Sequence, residues 1–276
     1  MAIHSDWHIH TFCSCDSACI TFEELIAEAK KNGITDFGVS DHFHTRLQEA
    51  DIAASRAEYD AALARHPELK GHFHFGIEAT LMSEWEIGKI ARGEYDEVPI
   101  WGIRHGGPAG APVRFDFDEE FLEKYKIDYV ITGMHWPMYC ATDRNSMLAE
   151  YHRQYMYAIC HPFTDILAHY TWYDSNVHPQ VENPFLDFSA VSETMRSEIK
   201  HALLENKVAF ELNAFVFYMP ESFRDEYLGF AAELQKSGIV LSQGCDTHQH
   251  TLHVDYEKTA ATYARYGIDT DKFFCL

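Results

Sequence analysis

Seven short apolar segments, most of them separated by helical stretches, constrain what this chain of 276 residues can fold into. Each segment is apolar enough to be buried on both faces, which is typical of strands in a parallel sheet. Single polar residues, mainly histidines and carboxylates, stand where these segments end. The pattern predicts a parallel barrel or a related closed α/β sheet, with a functional site at the C-terminal ends of its strands.

Local signals place helices between these strands. Thr21 and Glu24 are spaced as a capping box, and Gly33 is suited to end the first helix in a left-handed conformation. Helices are predicted over residues 21–32, 48–65, 119–125, 146–159, 192–206, 221–237 and 255–266. Strands are predicted over residues 34–40, 72–77, 128–132, 163–168, 208–212 and 239–241, after a first strand that ends at residues 8–10.

Two stretches, 83–118 and 170–189, lack periodicity and are rich in aromatic residues, glycine or proline. Long irregular segments in a compact domain are usually functional covers. We therefore expect residues 1–276 to form a single domain, with these two stretches as insertions that select the substrate.

The pair His8 and His10 ends the first strand. Side chains two residues apart on a strand point to the same face, so the two imidazoles can bind one metal ion together. The alternative is a polar pair on a solvated strand face. Further histidines or carboxylates at the ends of the other segments favour the metal: they are His42, Glu78, His135, His169, Asp246 and His248. The thiols of Cys13, Cys15 and Cys19 are a weaker alternative, because no second pair accompanies them.

Charge and cysteine content limit the classes of function. The formal net charge is −21, whereas a surface that follows nucleic-acid phosphates needs clustered lysine and arginine. Seven cysteines without zinc-ribbon or disulfide spacing indicate reduced thiols and a cytoplasmic location. Because no run of about eighteen apolar residues occurs, we expect no membrane-spanning segment. Neither nucleic acid nor a membrane is the expected partner.

Six stretches carry the polar residues in a distinctive order. They are residues 6–11 (DWHIHT), 39–42 (VSDH), 76–78 (GIE), 133–135 (GMH), 165–169 (DILAH) and 244–248 (GCDTH). Together they resemble the PHP family, the polymerase and histidinol phosphatase superfamily of metal-dependent phosphoesterases. Residues 40–44 (SDHFH) resemble its histidinol-phosphatase branch more closely than its polymerase branch.

The resemblance implies a distorted (β/α)7 barrel with a metal site at the C-terminal rim of the strands. It also implies two to three divalent transition metals, and the mixed nitrogen and carboxylate ligands suit Zn, Mn or Fe. The implied ligand sets are His8, His10, Glu78 and Asp246 for the first metal, Glu78, His135 and His169 for the second, and Asp16, His42 and His248 for the third. Glu78 would bridge the first two metals, and Asp16 stands where relatives often carry histidine.

The implied activity is hydrolysis of a small phosphorylated metabolite, a phosphomonoester such as L-histidinol phosphate, by a hydroxide that bridges two metals. Glu78, Asp246 and His248 are the candidate catalytic residues, the last two because a leaving alkoxide needs stabilisation. Asp6 and Asp41 are candidates for orienting the ligating imidazoles. The candidates for substrate binding are Arg46, Arg104, Arg144, Arg196 and Asn213.

Two other classes of function stay open. A nuclease or phosphodiesterase would use the same metals, but it needs a basic groove, and the net charge of −21 counts against one. A non-catalytic regulatory domain would bind metals without turnover, and the near-complete set of ligands counts against that interpretation.

Overall fold

Seven parallel strands curl into a nearly closed barrel in the computed structural model, which describes residues 2–95, 97–99, 101–103, 105–173 and 182–276. The strands are β1 (Ser5–Asp6), β2 (Asp36–Phe43), β3 (Phe73–Thr80), β4 (Met82–Ser83), β5 (Val113–Arg114), β6 (Tyr129–Gly133), β7 (Ile166–Leu167), β8 (Ala209–Asn213) and β9 (Leu241–Gly244). The barrel order is β1, β2, β3, β6, β7, β8, β9, and β4 pairs with β5 in a separate antiparallel sheet. The predicted α/β barrel is confirmed.

Helices follow most barrel strands and pack around the sheet. They are α1 (Phe22–Asn32), α2 (Glu49–Arg65), α3 (Glu84–Ala91), α4 (Glu119–Tyr125), α5 (Arg144–Cys160), α6 (Glu193–Asn206), α7 (Glu221–Lys236) and α8 (Tyr256–Tyr266). The capping box predicted at Thr21 and Glu24 is present, and Gly33 ends α1 with a φ of 71°. No described helix is long and apolar enough to cross a membrane.

The first and last strands meet and bring the two ends of the chain together at one rim. The Trp7 amide donates to the Gln243 carbonyl at 3.1 Å, and the Asp246 amide donates to the His8 carbonyl at 2.7 Å. A parallel bridge between Ile9 and Thr247 continues this contact beyond the strands. Residues 8–10 and 246–248 are therefore neighbours, although most of the chain separates them.

The interior of the barrel below this rim is filled by packed side chains. The Tyr129 hydroxyl lies 2.7 Å from the Trp7 carbonyl and 2.9 Å from the Val39 carbonyl, so one ring spans the barrel. Gly38 and Gly76 leave room for that ring, since a Cβ at Gly76 would lie 2.5 Å from it. Because this part of the interior is filled, a polar site can form only above it, at the C-terminal rim.

Several stretches differ from the predicted pattern. The first strand ends at Asp6, before His8 and His10, and only an isolated bridge at Ile9 continues its pairing. The segment 83–118 was expected to lack regular structure, but it contains α3 and the antiparallel pair of β4 and β5. The Ser83 hydroxyl accepts a hydrogen bond from the Glu86 amide and so caps α3. Strand β7 is shorter than predicted because the Thr164 amide bonds to the His161 carbonyl in a turn. Of the predicted insertion 170–189, residues 174–181 lie outside the described residues.

Candidate metal centre

The nine predicted ligands come together at the C-terminal rim of the barrel. His42 and Glu78 lie near the C-terminal ends of β2 and β3, while the others follow the ends of β1, β6, β7 and β9. Most of their side chains are buried. The two most exposed are Asp246 at 23% and His248 at 39%, so the cluster opens on that side.

Glu78 lies at the middle of the cluster, and its two carboxylate oxygens face different imidazoles. The Oε2 atom is 2.8 Å from His42 Nδ1, 3.3 Å from His8 Nε2 and 3.4 Å from His10 Nε2. The His10 Nε2 atom is also 3.1 Å from Asp246 Oδ1, which closes one group of ligand atoms. Three imidazoles thus surround Glu78 Oε2, and the Asp246 carboxylate contacts one of them.

The other oxygen of Glu78 faces a second pair of imidazoles. Its Oε1 atom is 2.8 Å from His169 Nε2 and 3.4 Å from His135 Nε2. The Thr80 hydroxyl lies 2.8 Å from His135 Nδ1 on the far side of that ring, so the Nε2 atom is held toward Glu78. A single carboxylate therefore joins two separate groups of histidines.

A third group forms around Asp16. Its Oδ2 atom lies 3.3 Å from His42 Nε2 and contacts His248 Nε2. Since His42 Nδ1 faces Glu78 and His42 Nε2 faces Asp16, this ring connects the third group to the other two. The Asp16 carboxylate thus points into the same cluster.

The geometry fits divalent metals. Ligand atoms that share a cation at bonds of about 2.1 Å lie roughly 3.0–3.4 Å apart, as many of these atoms do. Three sets of donor atoms lie within 4.8 Å of one another: His8, His10 and Asp246; His42, Glu78 and His135; and His10, His42 and His248. Within the described residues, Glu78 Oε2 and Asp16 Oδ1 are buried and lack a hydrogen bond of good geometry, although three imidazole nitrogens lie within 3.4 Å of Glu78 Oε2. Buried carboxylate oxygens need such a partner, and a metal would supply it.

The imidazoles of the metal-free cluster differ in their pKa values. Burial opposes charge on His8, but Asp246, Glu211 and Glu78 outweigh it and raise the pKa of His8 well above its usual value. Burial is likewise outweighed at His42, where Glu78 and Asp16 raise the pKa to about 10. Metal ligation needs neutral imidazoles, so binding must displace protons and the affinity for metal must fall as the pH falls.

Comparison with known proteins agrees with this geometry. The family model described as PHP domain matches residues 6–215 of the chain. The chain belongs to the PHP domain family. The matched range includes seven of the nine clustered residues, while Asp246 and His248 lie beyond it and join the site through closure of the barrel. No curated protein matches the sequence.

Solved structures share the fold of this PHP domain. Histidinol phosphate phosphatase from Lactococcus lactis subsp. lactis Il1403, complexed with Zn, L-histidinol and phosphate, is similar over 96% of this chain and 94% of its own, with a TM-score of 0.64 and 16% identity. A histidinol phosphatase of Listeria monocytogenes, described as putative, is similar over 92% and 99%, with a TM-score of 0.61 and 12% identity. These likenesses establish a shared fold.

Two residues of the PHP domain reach the cluster through left-handed backbone. Asp246 has a φ of 52° and His169 a φ of 26°. Such values are uncommon for residues other than glycine, and they persist where the surrounding structure holds them. Here they direct both side chains back over the rim, immediately after the strands end.

The carboxylates expected to orient the imidazoles have other partners. Asp6 accepts from the His8 and Cys245 amides and from the Tyr256 hydroxyl. Asp41 binds the amide and hydroxyl of Thr11 and the hydroxyl of Ser55. Both carboxylates hold the backbone of the rim, and neither of these sets of contacts includes an imidazole. The prediction that Asp6 and Asp41 orient the ligating imidazoles was therefore wrong.

Glu211 is the acceptor that the sequence reasoning missed. Its Oε1 atom accepts a hydrogen bond of 2.6 Å from His8 Nδ1. The signal was a carboxylate inside the apolar strand β8, at the same strand parity as Asn213. A charged residue in a buried strand needs a partner, and the polar rim of the barrel supplies one.

Of the four predicted substrate-binding arginines, three contact residues outside the cluster, and the fourth lies outside the described residues. Arg104 lies outside the described residues. The other three contact different parts of the chain: Arg46 pairs with Asp118 at 2.8 Å, Arg144 donates to the Pro184 carbonyl and Arg196 lies over the Phe188 ring. None of these contacts involves the nine clustered residues, and a role in substrate binding stays a prediction.

Asn213, the fifth candidate, is buried beside the cluster. Its Nδ2 atom donates to Glu211 Oε2 at 3.1 Å and to Asp246 Oδ2 at 3.2 Å. Its Oδ1 atom accepts from the Phe215 amide. The amide thus contacts two carboxylates of the rim, and a contact with substrate stays a prediction.

Two half-buried tryptophans from the predicted insertions contact the imidazoles of the centre. The Trp101 ring lies 5.5 Å from His42 and 4.9 Å from His44, measured between ring centroids. The Trp172 ring lies 5.3 Å from His169. Trp101 also lines a cleft of about 770 Å³. Apolar rings therefore form part of the wall around the cluster.

Proposed function

We propose that this PHP domain is a metal-dependent phosphomonoesterase that hydrolyses a small phosphorylated metabolite. The observation that carries the proposal is the position of Glu78, whose two oxygens face separate groups of imidazoles. A shared carboxylate between two nitrogen-rich sites is the arrangement that holds two cations close together. We propose two to three divalent transition metals, Zn, Mn or Fe, in the ligand sets implied by the family.

Divalent ions in such a site would lower the pKa of a water molecule and draw negative charge from the phosphoryl oxygens. The role of the protein is to place the ligands. Glu78 keeps two groups of ligands at a fixed separation, and two of the buried imidazoles already offer neutral nitrogen lone pairs. In particular, burial lowers the pKa of His10 to about 3 and that of His135 to about 4, so both rings are neutral at pH 7.

The open side of the cluster indicates where a substrate would enter. Asp246 and His248 are its most exposed members, and His248 Nδ1 lies 3.1 Å from the Asp246 carbonyl. A leaving alkoxide must receive a proton or comparable stabilisation as the phosphorus–oxygen bond breaks. We propose that the leaving group lies beside these two residues, which are the candidates for that task.

We propose L-histidinol phosphate as the first substrate to test. The Lactococcus lactis protein of the same fold was solved with L-histidinol and phosphate. In this chain Trp101 and Trp172 contact the imidazoles of the cluster and provide planar apolar surface for a small organic group. The 43 acidic against 22 basic residues give no comparable support for an oligonucleotide.

We also propose that residues 1–276 form one domain and that the protein works in the cytoplasm. All seven cysteines, which lie within the described residues, are free thiols. Free thiols are usual in a reducing compartment.

The proposed function is tested by loading metal-free protein with Zn, Mn or Fe and measuring kcat/KM on four kinds of substrate. These are L-histidinol phosphate, other small phosphomonoesters, phosphodiesters and a short oligonucleotide. We expect the highest kcat/KM on a phosphomonoester and no turnover without metal. A higher value on the diester or oligonucleotide would favour the nuclease class, and no turnover with any metal would favour the regulatory domain.

A further inference from the structure

Glu211, the acceptor of the His8 Nδ1 proton, is a buried carboxylate that is not itself one of the nine proposed ligands. It is 1% exposed and lies in β8, among the apolar side chains of the barrel. Among the described residues, no lysine or arginine forms an ion pair with it, and its ion-pair partner is His8. A buried carboxylate without a cationic partner is costly unless hydrogen bonds and nearby positive charge compensate for it.

The contacts of Glu211 reach ligands of two different metal sets. Its Oε1 atom accepts from His8 Nδ1 at 2.6 Å, and its Oε2 atom accepts from the His169 amide at 2.5 Å. The same Oε2 accepts from Asn213 Nδ2, which also donates to Asp246. His8 and Asp246 belong to the first set and His169 to the second, so one carboxylate supports both.

We propose that Glu211 is a positioning residue for the first two metal sites and that it does not support the third. By accepting the Nδ1 proton of His8, it leaves Nε2 as the ring nitrogen directed at the cluster, so that Nε2 is the atom that gives up its proton when a metal binds. By accepting the His169 amide, it holds the left-handed turn that directs this side chain toward Glu78. The inference rests on the proposed metal centre. Acceptors of this kind fix the tautomer of a ligating imidazole and raise its affinity for metal.

The backbone opposite is shaped to admit this carboxylate. A Cβ at Gly244 would contact Glu211 Oε1 and would lie 2.8 Å from the Cβ of His8. The absence of a side chain at this position of β9 allows the carboxylate to reach the histidine. By contrast, the contacts of Glu211 include no residue of the third set, Asp16, His42 and His248.

The test compares Glu211→Gln with the matched control Asp165→Asn. Asp165 is a half-buried carboxylate before β7 that accepts from the Val130 amide, away from the cluster. Metal content and affinity are measured by competition with a chelator. In Glu211→Gln we expect two of three ions to bind about 10- to 100-fold more weakly, the usual effect of removing such an acceptor. The third ion should keep its affinity, and Asp165→Asn should keep all three.

A second readout needs no metal. In metal-free protein, the short bond from His8 Nδ1 should give a low-field proton resonance, assigned by its loss in His8→Asn and absent from Glu211→Gln. Retention of this resonance, or wild-type affinity at all sites of Glu211→Gln, would overturn the inference. Equal weakening of all three sites would also overturn it. If Glu211→Gln does not fold, Glu211→Asp carries the same expectations, since its side chain is one methylene shorter.

The two proposals fail in different ways. Wild-type protein that binds no metal would overturn the proposed function, whereas wild-type protein with two or three ions and an unaffected Glu211→Gln would overturn only the role of Glu211. The resonance of metal-free protein still decides whether Glu211 sets the tautomer of His8.

Discussion

Replacement of Glu78 by glutamine is expected to lower the phosphatase rate by at least about a hundredfold, the scale seen when a main electrostatic element of a site is removed. The substitution nearly preserves volume, but it removes the negative charge that faces five imidazoles. Metal content should fall with activity, because both oxygens are proposed to bind metals. Initial rates and elemental analysis of the same preparation measure the two effects.

Loss of metal can also destabilise the fold, so the Glu78→Gln experiment includes thermal melts. Asp165→Asn is the control for the loss of a half-buried carboxylate outside the cluster, and it should keep both metal and activity. Glu78→Gln protein with full activity and a full complement of metal would show that no bridging carboxylate is needed.

Replacement of Gly133 by alanine is expected to disrupt the metal centre, although Gly133 is not itself a ligand. Gly133 ends β6, and a Cβ at this position would contact Glu78 Oε1 and lie 2.6 Å from His169 Nε2. Glu78 is fixed between two groups of histidines and cannot withdraw, so the clash must displace it. We expect Gly133→Ala to lose about 1–3 kcal/mol of unfolding free energy, as for overpacked cores. Elemental analysis should also show loss of metal.

Gly229 provides the matched control for this substitution. It lies on the exposed side of α7, and a Cβ there would meet nothing within 4 Å. Gly229→Ala should raise the unfolding free energy by about 0.5–1 kcal/mol, since alanine loses less backbone entropy in a helix. Gly133→Ala protein that melts like wild type and binds the same amount of metal would contradict the packing described around Glu78.

The barrel and the grouping of its polar residues could be predicted because simple periodicities determine them. His8 and His10 follow β1 two residues apart, and their rings lie 5.0 Å from each other. Polar residues at the C-terminal ends of parallel strands must meet at one rim. Asp246 and His248 illustrate this: they lie far from His8 in sequence, but closure of the barrel makes them neighbours. Burial on both faces was sufficient to predict a parallel sheet.

The supporting contacts could not be predicted, because they depend on packing between elements distant in sequence. Glu211 reaches His8 across 203 positions of the chain, and Thr80 reaches His135 across 55. The position of Glu211 inside an apolar strand makes it a candidate, but local periodicity does not show whether Glu211, Asp6 or Asp41 accepts the imidazole proton. The helix α3 was missed because it is only 8 residues long and lies in a segment rich in glycine and proline.

Nine side chains at the rim are proposed to form one centre for several metals. The most direct test is elemental analysis of protein purified from metal-replete cells, with X-ray anomalous scattering to locate the bound ions. We expect two to three equivalents of Zn, Mn or Fe per chain, with ions on both sides of Glu78 and the third, if filled, beside Asp16. One equivalent or none, or ions located away from Glu78, would contradict the account.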